Sequence, residues 1–287
     1  MNDLTSYKQQ AVQKSFGRAA KTYDEAAVLQ REVATRMLER LDYIKASPKR
    51  ILDLGCATGE YSARLARMYK KAQVISLDIA EPMLKEVRRR STWWYPIDRV
   101  CGDIQALPIA DNSVDLIFSS LALQWCGSLD AAFSEFRRVL KPGGFVMFST
   151  FGPDTLKELR ASWAEVDDER HVHDFVDMHD IGDEMLRAGL SQPVMDVETL
   201  TLTYNDAYAL MRELKDIGAH NIAKQRNRNL TTRSRLKAVV NAYEQFRIDG
   251  VLPASYEIVY GHAWCDETKV GDPGNGVSIE ALRGSLE

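Results

Sequence analysis

The chain has 287 residues, 45% of them hydrophobic and 27% charged, and carries a formal net charge of −4. That length suits one large domain or a domain with a sizeable insert, and the balance of residues excludes disordered and fibrous classes. No apolar run approaches the roughly 20 residues that cross a bilayer, and a net negative chain argues against wholesale nucleic-acid binding.

Residues 1–45 read as helix, with Val28, Leu29, Val33, Met37, Leu38 and Leu41 at helical spacing, and they lack the apolar core of a secretion signal. Ser47-Pro48 breaks the pattern. A buried strand follows over 50–54, a helix over 61–69 and a second strand over 72–77. The stretch 81–90 is helical, with Pro82 in its first turn. A short strand over 100–102 leads into a loop around Pro108. Residues 113–119 form the fourth strand and 129–140 a helix. Lys141-Pro142-Gly143-Gly144 is a turn before a fifth strand over 145–150. Strands alternating with helices predict an α/β fold, a doubly wound, mostly parallel sheet with helices on both faces.

Beyond it, 178–188 reads as helix with Gly189 past its end, and 194–203 as strand six. Residues 205–249 look helical, broken near Gly218 and around 227–232, and 256–264 supplies a seventh strand. The expected organisation is a helical cap over 1–45, a core over 46–204 and 256–265, a helical lid over 205–255 and a mobile tail over 266–287. Cys56, Cys101, Cys126 and Cys265 have no CxxC spacing and read as reduced thiols of a cytoplasmic protein.

The segment 51-ILDLGCATGEYSARLARMYKKAQVISLD-78 has the outline of a nucleotide-binding βαβ unit. Its positions 55, 57 and 60 are Gly, Ala and Glu, a poor match to the GxGxxG that cradles a pyrophosphate. Asp53, ahead of Gly55 and Gly59, would repel phosphate and suits an ammonium. Asp78, closing the second strand, offers a bidentate acceptor to a ribose. Asp103, after the third strand, can accept from an adenine amino group, and residues 119–123 lie where open sheets of this kind bind ligands. S-adenosylmethionine carries an ammonium and a sulfonium and no phosphate.

The set DLGCATG, LDIAEPML, GDIQALP, DLIFSSLALQW and LKPGG over residues 50–150 resembles the class I S-adenosylmethionine-dependent methyltransferases, whose Rossmann-like sheet is seven-stranded. The resemblance implies cofactor contacts from Ile79, Met83, Ile104, Ser120 and Leu121 beside the three acids. Ala57 departs from the family's DxGxGxG loop, a methyl group that is tolerable where φ is negative. The flanks FGRAAKTYDEAAVLQREVA (16–34), LMRELKDIGAHN (210–221), LTTRSRL (230–236) and YEIVYGHAW (256–264) narrow the resemblance, over 1–264, to the malonyl-acyl carrier protein O-methyltransferases of biotin synthesis. That implies methylation of the free carboxylate of a malonyl thioester.

A carboxylate is already ionised at neutral pH, so the reaction needs no general base. It needs one oxygen aimed at the methyl and water excluded. Arg212 is the first candidate to hold the other oxygen, Lys215 one turn on is the second, and Tyr23 completes the pocket with a hydroxyl. Gln30 is assigned to the methionine end of the cofactor and Trp125 to packing beside it. The plain alternatives are a packing role for Tyr23 and a solvated face for Arg212 and Lys215.

Residues 212–237 carry Arg212, Lys215, Lys224, Arg226, Arg228, Arg233, Arg235 and Lys237 against only Glu213 and Asp216. Such a basic insert would attract an acidic acyl carrier protein and the phosphate of its prosthetic arm, or coenzyme A. The rival readings are a methyltransferase for another small acid or quinone precursor, a non-catalytic assembly factor with the same fold, and an RNA enzyme. For the last, no basic segment interleaved with aromatics stands out. His171, His173 and His179 lack the Cys or Glu partners of a metal site, and none is expected. No role follows for His262. A membrane partner is not expected either.

Overall fold

A computed structural model describes residues 9–219 and 232–266. In chain order the elements are α1 (Gln9–Ala19), α2 (Tyr23–Ala26), α3 (Val28–Leu41), β1 (Arg50–Leu54), α4 (Glu60–Met68), β2 (Gln73–Asp78), α5 (Glu81–Arg90), β3 (Ile97–Cys101), β4 (Val114–Ser120), α6 (Leu129–Val139), β5 (Leu140–Phe151), α7 (Lys157–Ala164), α8 (Met178–Arg187), β6 (Ser191–Tyr204), α9 (Ala207–Asp216), α10 (Arg233–Tyr243) and β7 (Leu252–Trp264). One seven-stranded sheet runs β3-β2-β1-β4-β5-β7-β6. The first five strands are parallel, and β7 enters antiparallel between β5 and β6.

The central strands are apolar runs because both faces are covered. Along β1, Ile51 packs with α3, α4 and α5, while Leu52 and Leu54 pack with α6 and α8 on the opposite face. Phe133, Phe136 and Phe148 dominate the second face; Met37, Leu41, Leu65 and Phe145 are fully buried on the first. Side chains start several helices: Ser128 accepts the N–H of Ala131 at 3.1 Å, and Asp206 that of Ala209 at 2.8 Å.

Several expectations are corrected. The N-terminal helix is three pieces, because α1 gives way to a turn over 20–22 and the chain leaves helical geometry at Ala27. α7 was unforeseen; it begins behind Leu156, held left-handed at φ +55°, where the N–H of Leu156 bonds the carbonyl of Ser255 on β7 at 2.6 Å. β3 starts three residues earlier than expected. The Lys141–Gly144 turn lies inside β5 as a kink, with Gly143 at φ +78°. β7 begins at Leu252, so the connection from β6 that carries α9 and α10 is shorter than the 205–255 expected. No helix among the described residues is long and apolar enough to cross a membrane. The expected tail beyond residue 266 lies outside the described residues.

Candidate active site

The sheet order reverses between β1 and β4, and the crevice outside the carboxyl ends of these strands is where open α/β sheets bind ligands. Here the loop after β1 is stitched to β2: the N–H groups of Gly55 and Cys56 both donate to the carbonyl of Leu77, at 2.8 and 3.1 Å. Gly55 sits at φ +66°, and a Cβ on it would stand 2.4 Å from the Cβ of Ala122. No other residue fits there.

Ala57 sits at φ +47°, so the negative φ under which its methyl group would be unstrained is not what the loop adopts. Its N–H donates to Asp78 Oδ2 at 3.0 Å, a charge-assisted bond that holds the left-handed turn. Gly59, at φ +78°, opens α4; a Cβ there would meet Val87 at 2.8 Å, so the glycine lets α4 close on α5. Gly59 does not line the cleft. Neither does Met83, which is buried against Ala19, Ala20 and Ala80.

Two carboxylates are buried at this end of the sheet. Asp53 accepts the hydroxyl of Ser62, which in turn is bonded by Ser76 at 2.6 Å. Burial pushes the Asp53 carboxyl up to about 7, with the Ser62 hydroxyl pulling it back and the charge of Asp78 adding to the rise. Burial also pushes Asp78 up to about 6, although its oxygens accept the N–H groups of Ala80 and Ala57. Asp103 is half-buried and accepts the N–H of Gln105 at 2.9 Å. Past Ser120 the chain bends sharply at Leu121, φ +49°, where the N–H of Leu121 bonds the carbonyl of Ser149 at 3.0 Å.

These residues line two joined clefts. One, of about 600 Å³, is bounded by Phe16, Asp78, Ile79, Asp103, Ile104, Leu121 and Trp125. The other, of about 480 Å³, is bounded by Gln30, Arg31, Asp53 and Tyr61. Tyr23, Gly55, Ala57 and Ser120 line both and form the ridge between them. Burial, then the charges of Asp78 and Asp24, push the Tyr23 phenol up, so it keeps its proton at neutral pH and acts as a donor. Phe16 meets Trp125 edge-on at 5.2 Å between ring centres, and Trp125 meets His173 at 5.5 Å. The cap helices therefore close one side of the cleft.

The cap is tied to α9. Ser15 Oγ donates to the carbonyl of Gly218 at 2.7 Å, and Thr22 Oγ1 to that of Asp216 at 2.9 Å. Arg212 and Lys215, on the same helix, are exposed and stand outside the residues lining either cleft. Of the basic insert, Lys224, Arg226 and Arg228 lie outside the described residues. Arg233 and Lys237 are exposed on α10. Arg235 is not a free cation: it pairs with Asp167 at 2.6 Å and Glu169 at 3.6 Å, acids that follow α7 and that a count along 212–237 could not see.

Asp167, Glu169 and His171 approach one another within 4.8 Å, the geometry of a cation site. The guanidinium of Arg235 supplies that charge, and the His171 ring lies stacked on Trp163. His179 is exposed beside Asp177, and burial holds His262, on β7, below the usual histidine range.

The reading from sequence missed Phe16, Arg31 and Tyr61 as cleft residues, while Ala122 lies within the 119–123 stretch it placed there. Phe16 and Arg31 lie inside the quoted 16–34 motif, but only the fold of the cap brings them to the cleft. Arg31 is the only Lys or Arg among the described residues lining the two clefts, against Asp24, Asp53, Glu60, Asp78 and Asp103. That acid-rich lining rejects phosphates. It fits S-adenosylmethionine, which brings a net positive charge, a vicinal diol and an adenine amino group.

Residues 52–148 match the family model described as a methyltransferase domain. The fold is similar to that of the YcgJ protein of Bacillus subtilis, with a TM-score of 0.56 at 15% identity over 80% of this chain and 98% of that one. It is also similar to a SAM-dependent methyltransferase of Thermotoga maritima, with a TM-score of 0.54 at 16% identity over 89% of this chain and all of that one. Much nearer in sequence is the malonyl-[acyl-carrier protein] O-methyltransferase of Methylovorus sp., 54% identical over 91% of this chain and 90% of its own. The protein of the same name from Gallionella capsiferriformans is 50% identical over 96% of both. With half of its residues shared across nearly its whole length, the cap and the β6–β7 connection included, the chain belongs to the malonyl-[acyl-carrier protein] O-methyltransferase family.

Proposed function

We propose that the chain transfers the methyl group of S-adenosylmethionine to the free carboxylate of malonyl-acyl carrier protein, giving the methyl ester at an early step of biotin synthesis in the cytoplasm. The observation that carries this reading is the identity to relatives of that name over nine-tenths or more of both chains. The acid-lined cleft supports it.

Bound S-adenosylmethionine supplies an electrophilic methyl on a sulfonium. Asp53 would hold the ammonium, Arg31 and Gln30 the carboxylate, Asp78 the ribose hydroxyls and Asp103 the adenine amino group. Ile79, Ile104 and Leu121 would sandwich the base. Tyr23, protonated and on the ridge between the clefts, is placed to donate to one carboxylate oxygen of the malonyl group, leaving the other to attack in line. Phe16 and Trp125 would exclude water. No residue needs to take a proton, because the nucleophile arrives ionised.

Arg212 and Lys215 are proposed to meet the substrate from α9, whose end is tied to Thr22, next to Tyr23. The exposed Arg233 and Lys237, together with Lys224, Arg226 and Arg228, are proposed to dock the acidic carrier, and the same charges would admit malonyl-coenzyme A. The experiment is transfer of labelled methyl to malonyl-acyl carrier protein, with malonyl-coenzyme A, malonate and bulk RNA in parallel. Base-labile label on the carrier-bound malonyl group supports the assignment; cofactor binding with no transfer to any malonyl compound overturns it.

A further inference from the structure

The end of the sheet opposite the cleft has an unusual surface. Between α5 and β3 the chain makes a closed turn. Thr92 and Tyr95 exchange both backbone hydrogen bonds at 3.2 Å, and the Tyr95 N–H also lies 3.2 Å from Thr92 Oγ1. Tyr95 packs against the core, and Ser91 Oγ accepts the N–H of Ile97 at 3.0 Å. The turn is thus pinned at its base, and Trp93 and Trp94 are its tip, 91% and 83% exposed. A packed protein rarely leaves two adjacent indoles in water without use, since each offers an area of apolar surface that would otherwise drive burial.

The neighbouring loops are basic. β3, β2 and β1 are adjacent in the sheet, so the loops feeding their amino ends lie side by side. The loop into β2 carries exposed Lys70 and Lys71. The loop into β1 carries exposed Lys45 and Lys49, with Tyr43 87% exposed. Asp42 is the only acid on these three loops. Asp98, just inside β3, is engaged by the Gln73 amide at 2.7 Å. The segment 88-RRRSTWWYPIDR-99 itself adds little to that charge, since Arg89 pairs with Glu86 and Arg90 with Asp24; the lysines of the neighbouring loops carry it.

We propose that this face docks the protein reversibly on an anionic lipid surface. Protruding indoles and a tyrosine flanked by lysines suit a headgroup boundary, where the rings sit at the interface and the ammonium groups meet lipid phosphates. Single-stranded nucleic acid is gripped in a groove by stacked aromatics, whereas this turn is convex. An acyl carrier docked here would have to pass its arm around the length of the strands, about 16 Å or more, to serve the cleft. That no helix among the described residues can span a membrane is no obstacle to a surface-lying mode.

The test is flotation of the full chain with vesicles of phosphatidylcholine alone or of three parts phosphatidylcholine to one part phosphatidylglycerol. Binding to the anionic vesicles alone, lost at high salt, is expected. Lys70→Glu and Lys71→Glu should each weaken it about fivefold or more. Trp93→Ser with Trp94→Ser should abolish it, together with the quenching of indole fluorescence by brominated lipid. Methyl transfer and melting temperature should not change, since none of these side chains is buried or near the cleft. No flotation, or flotation indifferent to lipid charge and to these substitutions, overturns the proposal. A tryptophan-dependent dimer in sedimentation, or tryptophan-dependent RNA binding without vesicle binding, overturns it in favour of those occupants.

Discussion

At the scale of the residue, the cleft stores unfavourable electrostatics for a cation to relieve. Burial pushes the Asp53 carboxyl of the folded chain up from its ordinary value of 3.8 to about 7. A raised carboxylate favours folding below its unfolded value, and that contribution is lost as pH climbs through 7. Asp53→Asn should therefore stabilise the ligand-free protein at pH 8, by on the order of 3 kcal/mol in chemical denaturation, while weakening cofactor binding at least tenfold in calorimetry. A variant that neither gains stability nor loses affinity would remove Asp53 from the ammonium site. In the wild type, cofactor affinity should fall below pH 7, by up to about tenfold per pH unit for each carboxylate, as Asp53 and then Asp78 protonate. Ala57 stores strain of another kind. A left-handed alanine costs about 1–2 kcal/mol, and glycine's extra freedom in the unfolded chain returns part of that. Ala57→Gly should raise stability by about 0.5–1 kcal/mol, read as a shift in denaturation midpoint, with little change in cofactor affinity.

At the scale of the element, the cap and α9 act on the cleft as a unit. Phe16 and Tyr23 reach the cleft from α1 and α2, and those helices are latched to α9 by Ser15 and Thr22. Ser15→Ala combined with Thr22→Val removes two such bonds, each worth about 1 kcal/mol, and should raise KM for the cofactor about tenfold with a smaller effect on kcat. Ser15→Thr with Thr22 intact should restore it; a lower apparent kcat at unchanged KM would mean loss of folded protein instead. The contrast between the sheet and the cap shows what the sequence makes legible. β1, β2, β4 and β5 are apolar runs punctuated by glycine and proline, so their existence and order follow from periodicity. Asp53, Asp78 and Asp103 follow from their places at strand ends. The breaks at 20–22 and at Ala27 do not; Thr22, closing the first, bonds the carbonyl of Asp216 nearly 200 residues later. α7 rests on a left-handed Leu156 fixed by a bond to a strand almost 100 residues later, and Arg235 is neutralised by acids nearly 70 residues before it. Such pairings leave no local pattern.

At the scale of the whole molecule, a chain of net charge −4 must attract an acidic carrier against its own average field. Segregation of charge makes that possible, since association is steered by the potential near the cleft mouth rather than by the total. With Arg235 committed to Asp167 and Glu169, the docking proposed above leaves the steering to Arg212, Lys215, Arg233 and Lys237, joined by Lys224, Arg226 and Arg228. Reversing Arg233 and Lys237 to glutamate should raise KM for malonyl-acyl carrier protein about tenfold and flatten the salt dependence of kcat/KM. Cofactor affinity, which the proposal assigns to Asp53 and its neighbours, should not move. Malonyl-coenzyme A, which brings phosphates but no acidic protein surface, should be affected less. Arg235→Ala serves as the internal contrast. Its partners lie behind α7, so it should lower melting temperature while leaving the salt dependence intact. Equal kinetics for the carrier in the Arg233 and Lys237 reversal would mean that the carrier docks elsewhere, and that the positive charge of α10 is a solvated helix face.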